Sequence, residues 1–228
     1  MQESPILETE SDYLNKIKNE LEELACKDKN GMVFKGYFYT DRAFLAQNRI
    51  LLKETIGKGS YSKVKEAFDL NRMNKIAVKI IDCSKAPQDF QDKFLPRELD
   101  IWPRLNNDNI IKMFDYFIRD EKVYMILEYA NGGDLLTYIQ NLTSPMNELK
   151  AKSWIKQICN AVDYLHCQNI IHRDLKLENL LIDLSLSQIK ICDFGFAKVV
   201  SSSGLDSNNE DDLSKTYCGS KAYASPGF

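Results

Sequence analysis

The spacing of apolar positions changes near residue 132. From Arg49 the chain reads as short runs: RILLKETIG, KVKEAFDL and KIAVKIID predict three successive strands, with turn residues at Gly57, Gly59 and Asn71 to Asn74 between them. KVYMILEYA predicts another strand. Beyond Gly132 the period lengthens, and DLLTYIQNL and ELKAKSWIKQICNAVDYLH predict helices. The second carries Trp154, Ile158, Ala161, Val162 and Leu165 on one stripe. Ahead of the strands, residues 11 to 25 place Leu14, Ile17, Leu21 and Leu24 at spacings of three, four and three behind Ser11 as N-cap, an amphipathic helix. Two heptads do not make a coiled coil, and a surface helix docked on its own domain is preferred over a partner-binding one. Residues 26 to 48 include the aromatic-rich GYFYTDRAF but hold no period. VVSSSGLDSNNEDDLSK is acidic and poor in hydrophobes after Val200, which predicts a surface loop rather than a packed element.

A β-rich half followed by an α-rich half predicts an α+β fold of two lobes. The expected boundaries are an extension over residues 1–48, a strand-rich lobe and hinge over 49–130, and a helical lobe over 131–228, with EYANGGD at the hinge. At 228 residues, 44 % hydrophobic and 28 % charged, the chain can bury a sizeable core. Its net charge of -3 is uneven: residues 1 to 25 hold seven acids and two lysines, which leaves the remainder slightly positive. No basic stripe of the kind that binds nucleic acid is present. No apolar run reaches membrane-span length and the acidic N-terminus is unlike a signal peptide, so cytoplasmic residence with no membrane association is expected. Six cysteines without a CxxC pair, beside two histidines, give neither a zinc site nor a disulfide framework, and free thiols are expected.

Chemistry concentrates in three places. IGKGSYSKV, residues 56 to 64, is a glycine-rich turn between predicted strands. Gly57 and Gly59 allow the backbone to approach a phosphate, and Val64 on the outgoing strand can cover an apolar ring. A hairpin with two glycines is usually only a hairpin, and a dinucleotide site would need a helix where KVKEAF reads as strand. IAVKI, residues 76 to 80, sets Lys79 in an apolar strand. Such a lysine usually faces solvent, but Glu98 in the following helical segment FLPRELDIW offers the acid that a buried one would need. IIHRDLKLENLLI, residues 170 to 182, encloses a histidine, acids, bases and an asparagine between apolar ends, a costly choice for a purely structural segment. DFG follows the strand QIKIC, and Asn179 with Asp193 gives two oxygen ligands suited to a hard cation such as Mg²⁺. Asp174 is then free to act as a base.

In this order, the strand-turn-strand glycine loop, AVK lysine, helix glutamate, HRD, LEN and DFG resemble the eukaryotic protein kinase set, from about Arg49 to the last residue. Lys176, two residues after Asp174, is the serine/threonine pattern. GSYSKV, FLPREL, DFGFAK and YCGSKAYASP are similar to the testis-specific serine/threonine kinase branch of the calmodulin-dependent-kinase-like group. The resemblance implies a two-lobed protein-kinase-like fold and an ATP- and Mg²⁺-dependent kinase acting on protein serine or threonine.

It also implies residue roles. Asp174 would orient the substrate hydroxyl and accept its proton, and Lys176 would steady the transferring phosphoryl group. Asn179 and Asp193 would hold Mg²⁺, Lys79 would contact the α- and β-phosphates, and Glu98 would hold Lys79. The turn from Ile56 through Gly57 and Gly59 to Ser62 would cover the phosphates. Val64, Ala77 and Leu181 would sandwich adenine, Glu128 and Ala130 would offer hinge backbone, Asp134 would reach the ribose, and Leu127 falls at the gatekeeper position. Trp102, Met113, Phe194 and His172 would form a stacked column. Glu178 and Asp134 would favour substrates with arginine upstream, and Ser220 would contact Asp174. Thr216 would be the activating phosphosite, gathered by Arg173 and Lys198, with Ser214 and Ser220 as alternatives.

Departures from the pattern carry expectations of their own. Ser62 replaces a third glycine, and Pro96 and Pro103 should shorten or kink the helix bearing Glu98. ASPGF has Gly227 where the family has the glutamate of its APE motif, and the chain ends one residue later. The helical lobe is therefore expected to be cut off after the activation segment, with an apolar patch under WIKQICNAVDYL that a chaperone or partner would cover. The competing readings are a catalytically weak nucleotide- or partner-binding kinase fragment and a dinucleotide-dependent oxidoreductase. The second rests on the glycine turn alone.

Overall fold

The computed structural model describes residues 15, 16, 19, 40–200 and 219–223. Asn15, Lys16 and Asn19 are helical and exposed, whereas the apolar stripe expected at Leu14, Ile17, Leu21 and Leu24 lies outside the described residues. So do the acidic loop after Val200 and Thr216. The chain divides into two compact units, residues 1–80 and 81–228, a cut by packing rather than by the strand-to-helix switch at residue 130.

In the first unit, helix α1 (Asp41–Gln47) starts at Thr40, whose hydroxyl accepts from the Ala43 amide at 3.1 Å. Ala43, Leu45 and Ala46 are buried, and the helix lies on strand β1 (Ile50–Lys58). β1 pairs antiparallel with β2 (Ser62–Asp69), from Ile50 opposite Asp69 to Lys58 opposite Lys63. Register shifts interrupt the ladder between Leu52 and Gly57. The buried Asp69 carboxylate receives the Asn71 and Arg72 amides and the Arg72 guanidinium, which closes the turn into β3 (Asn74–Asp82). The order is β1-β2-β3, and the unit boundary runs through β3.

After the end of β3, the second unit runs through a 3-10 turn over Cys83–Lys85, a π-turn over Phe90–Phe94, helix α2 (Leu95–Ile101) and a 3-10 turn over Trp102–Arg104. Pro96 occupies the first turn of α2 and Pro103 the first turn of the 3-10 segment, positions where no helical N–H is required. The prolines thus limit the α-helix around Glu98 to seven residues, as the sequence predicts. A hairpin of β4 (Met113–Arg119) and β5 (Lys122–Glu128) follows. β5 is buried through its centre, while β4 exposes Tyr116 and Ile118. Helix α3 (Leu135–Gln140) is capped by Asp134 and helix α4 (Glu148–Cys167) by Asn147. α4 buries Trp154, Ala161 and Leu165; Ile158 and Val162 are half-buried and Ile155 is exposed. Trp154 also meets Tyr138 of α3 edge-on at 5.6 Å.

Two small ladders finish the unit. β6 (Ile170–Ile171) pairs with β9 (Lys198–Val199), and β7 (Leu180–Ile182) with β8 (Ile189–Ile191). The predicted strands at both ends of IIHRDLKLENLLI are β6 and β7. No described helix is long and apolar enough to cross a membrane. Cys83, Cys159, Cys167 and Cys192 are free thiols.

Candidate active site

The loop between β6 and β7 is held from both ends, so its polar residues have fixed places. Asp174 is 4 % exposed and Asn179 5 %, a burial that ionised and amide groups tolerate only when bonded. Lys176 Nζ lies 2.8 Å from Asp174 Oδ2. Asn179 Nδ2 donates to the Asp174 carbonyl at 2.9 Å and to its Oδ2 at 3.1 Å. Ser220, 46 residues on, donates to Asp174 Oδ1 at 2.9 Å and accepts from Lys176 Nζ at 3.0 Å. The carboxylate is thus oriented by a lysine and an amide of its own loop and by a hydroxyl from a distant part of the chain. Burial pulls the Lys176 pKa down, but the hydrogen bond and charge of Asp174, aided by Glu178 and Asp193, outweigh it and leave the ammonium above its ordinary value.

Backbone geometry supports this arrangement. Gly219 has φ of +97°, and a Cβ there would lie 2.6 Å from the Arg173 carbonyl, so glycine is what lets Ser220 reach Asp174. Arg173 itself has φ of +64°, and its Nε donates to the Phe196 carbonyl at 2.7 Å. Lys198, one of the two cations that the resemblance assigns to a phosphate at Thr216, pairs with Ile171 in the β6–β9 ladder, and Arg173 follows β6 by two residues. Thr216 lies outside the described residues.

His172 is buried against Phe194, with ring centroids 4.9 Å apart, and Phe194 meets Trp102 at 5.2 Å. These three are the expected column, and Met113, buried at the start of β4, lies on the strand packed by the Trp102–Arg104 turn. The Asp174 amide donates to His172 Nδ1 at 3.3 Å, which leaves the ring proton on Nε2, 3.2 Å from the Cys192 carbonyl. Burial pushes the His172 pKa down and keeps the ring neutral.

The two oxygen ligands foreseen for Mg²⁺ flank the β7–β8 ladder, Asn179 directly before β7 and Asp193 two residues after β8. The Cys192 amide donates to the Asn179 carbonyl at 2.9 Å, which sets Asp193 beside Asn179. With its NH₂ group spent on Asp174, Asn179 has only its amide oxygen left to offer a cation. Asp193 adopts φ of +64°, and a Cβ at Gly195 would come within 3.6 Å of its carboxylate. An amide oxygen and a carboxylate fit Mg²⁺, which keeps waters and phosphate oxygens for its remaining positions. Among the described residues no group of three or more His, Cys, Asp or Glu could hold a metal ion.

At the hinge, the Glu128 amide donates to the Lys112 carbonyl at 2.9 Å, so only its carbonyl can serve a ligand. The Glu128 side chain is taken by Lys190 at 2.9 Å and by the Lys112 amide at 3.2 Å. Leu181 is bridged to Asp134. The Asp134 carboxylate caps α3, accepting from the Thr137 amide and hydroxyl, both at 2.8 Å, so it is partly committed to the fold. Exposed Glu178 lies 3.5 Å from the Tyr223 hydroxyl. Glu98 is fully buried on α2.

In the first unit, Lys79 is half-buried between Val78 and Ile80, at 0 % and 2 % exposure, and does not simply face solvent. Ala77 is buried and Val64 half-buried. The glycine turn closes with the Gly59 amide donating to the Ser62 carbonyl at 2.8 Å. A Cβ at Gly59 would stand 2.8 Å from Ser62 Oγ, so the serine fills space that a third glycine would leave open. Ile56 is half exposed.

A buried aspartate oriented by a lysine two residues on and an asparagine five on, followed by an acidic DFG turn, is a phosphoryl-transfer arrangement. Residues 50–228 match the protein kinase domain. The chain belongs to the protein kinase domain family. It is 44 % identical over 184 residues to testis-specific serine/threonine-protein kinase 3 of Mus musculus, covering 80 % of this chain and 65 % of that protein. Against testis-specific serine/threonine-protein kinase 4 of Homo sapiens it is 44 % identical over 181 residues, 76 % of this chain and 55 % of the relative. NUAK family SNF1-like kinase 1 of Mus musculus is more distant, at 36 % over 180 residues, 79 % of this chain and 26 % of that protein. The chain spans about half to two thirds of the testis-specific relatives it matches. Sequence reasoning named the kinase residues but missed Gly219, and it missed Asn109 and Gln157, which hold β8; CGS was a readable signal for the glycine, whereas nothing local marks the two amides.

Proposed function

We propose that this chain transfers the γ-phosphate of ATP to serine or threonine hydroxyls of protein substrates. The observation that carries this reading is the buried Asp174 carboxylate held by Lys176, Asn179 and Ser220. Asp174 accepts the proton of the attacking hydroxyl, since that oxygen becomes a better nucleophile as it loses the proton. Lys176 supplies positive charge beside the transferred group. Asn179 and Asp193 would hold Mg²⁺, which would supply charge neutralisation at the phosphates. Within the first unit, Lys79 would contact the α- and β-phosphates, the backbone of Gly57 to Ser62 would cover them, and Val64 and Ala77 would contact adenine. Glu128 and Ala130 present hinge backbone.

Exposed Glu178, in the same loop as Asp174, supports a preference for arginine upstream of the target residue, because carboxylates pair with guanidinium in two-point geometry. Thr216 is the activating phosphosite in this reading, its phosphate adding about -1.5 to -2 charge near Arg173 and Lys198. The chain works in the cytoplasm.

The test is phosphate transfer from Mg·ATP to a serine peptide array. Transfer to peptides with upstream arginine is expected, and a preference for acidic or proline-directed peptides would reject the specificity assignment. Asp193→Asn should weaken Mg·ATP binding by about tenfold or more, because a charged metal ligand is lost, while the fold is kept. Calorimetry showing equal affinity would remove Asp193 from the metal site.

A further inference from the structure

We infer that the side-chain amides of Gln157 and Asn109 are positioning residues for Asp193, acting through strand β8; this rests on the kinase reading above. β8 has only three residues, and one of its edges is occupied by β7. Residues Ile189 and Ile191 turn their backbone groups to the other edge, where both side chains are 1 % exposed and water is no substitute partner. Each of these four groups is met. The Ile191 amide donates to the Asn109 carbonyl at 2.8 Å, and the Ile191 carbonyl accepts from the Ile111 amide at 2.9 Å. The Ile189 amide donates to Gln157 Oε1 at 3.0 Å, and the Ile189 carbonyl accepts from Asn109 Nδ2 at 2.9 Å.

Half of the edge is therefore completed by side chains. Asn109 Nδ2 also donates to Gln157 Oε1 at 2.9 Å, and Gln157 Nε2 donates to the Ser187 carbonyl at 2.9 Å, just before β8 begins. A side-chain amide suits this place because it accepts and donates at once, which neither a carboxylate nor an aliphatic group does. Gln157 projects from α4, the long helix anchored by Trp154, Ala161 and Leu165. Asn109 sits on the segment leading to Ile111, whose carbonyl accepts from Trp102 Nε1 at 2.7 Å, and Trp102 meets Phe194. Two residues beyond Ile191 stands Asp193, with its backbone at φ of +64°. The placement of that carboxylate follows from where β8 ends, and two amides outside the catalytic motifs set where β8 lies.

The experiment compares the full chain with Gln157→Leu, Gln157→Glu and Asn109→Asp, reading amide hydrogen exchange together with calorimetric binding of Mg·ADP. Leaving a buried backbone group unpaired costs about one order of magnitude or more in an opening equilibrium. Gln157→Leu should therefore speed exchange at Ile189 and Asp193 by about tenfold or more, leave the β4–β5 hairpin amides unchanged, and weaken Mg·ADP binding several-fold. Gln157→Glu keeps the acceptor but loses the donor to the Ser187 carbonyl, and should restore protection of the Ile189 amide and part of the affinity. Asn109→Asp, which sets carboxylate oxygens against two acceptors, should give the same local loss and serves if the leucine variant does not fold. Native exchange at Ile189 and Asp193 in the leucine and aspartate variants overturns the inference. So does a lowered melting temperature with unchanged Mg·ADP affinity, the outcome of a merely structural role. A native chain that binds no Mg·ADP counts instead against the kinase reading, and the exchange at Asp193 still decides whether the amides position it.

Discussion

The glycine turn of the first unit and the catalytic loop of the second treat charge in opposite ways. Ile56, Lys58, Gly59 and Ser60 are exposed, and the turn is closed by the bond between Gly59 and Ser62. In the catalytic loop, His172, Asp174 and Asn179 are buried; His172 and Asp174 have partners on other segments, Cys192 and Ser220, and the Asn179 side chain bonds Asp174 within the loop. Preorganised groups stabilise developing charge without reorganising during the reaction, whereas a backbone that must admit and release a ligand gains from remaining open. The turn is open and the loop is a fixed frame, a distinction made by burial more than by residue type.

The sharpest way to break this comparison is Asp174→Asn. The shape is kept and the base is lost, so phosphate transfer should fall by about 10²- to 10⁴-fold. The melting temperature should move by only a few degrees. Transfer within tenfold of native would mean that the frame is not the chemical centre.

A second test uses pH. The His172 pKa is lowered by burial, so the unfolded chain binds a proton that the folded chain refuses. This contribution to stability is complete above the ordinary histidine value of 6.5 and is lost as pH falls below it, by up to about 1.4 kcal/mol per pH unit until the folded-state value is reached. Melting followed from pH 7.5 to 5.5 should show this slope, and His172→Phe should flatten it. An unchanged slope in the variant would assign the acid sensitivity to other groups.

Ser220→Ala removes two bonds from the frame and none from the turn. A fall in kcat of about tenfold is expected, from the loss of hydrogen bonds to a charged carboxylate and ammonium, with KM for ATP nearly unchanged. A rise in KM alone would place Ser220 in nucleotide binding. The smallest effect is expected of Ser62→Gly. It removes the Oγ that fills the space beside Gly59 but alters no buried bond, so KM for ATP should change by about twofold or less. A tenfold change would show that the turn is as tightly specified as the loop.

Much of this was legible beforehand. The strand RILLKETIG is β1, KVKEAFDL is β2 and KIAVKIID is β3, because alternation and turn residues coincide there. The stripe from Trp154 to Leu165 is the buried side of α4. Among the elements that escaped, two are instructive. β4 reads MFDYFIR, a nearly continuous apolar run without alternation, and it exposes the apolar Tyr116 and Ile118. α1 has seven residues, too few to establish a helical period, and is held by the Thr40 cap and burial on β1 rather than by propensity.

By itself, the sequence determined the family and the motif order and singled out the candidate side chains, since these depend on residue identity and short spacing. The tertiary structure decided the partners. Ser220 meets Asp174 across 46 residues, Asn109 meets Gln157 across 48, and His172 meets Cys192 across 20. Asp134 proves to be a helix cap as well as a candidate ligand contact. Such pairings follow from chain register and packing, which local periodicity does not encode, and they turn a list of reactive residues into a frame with one geometry.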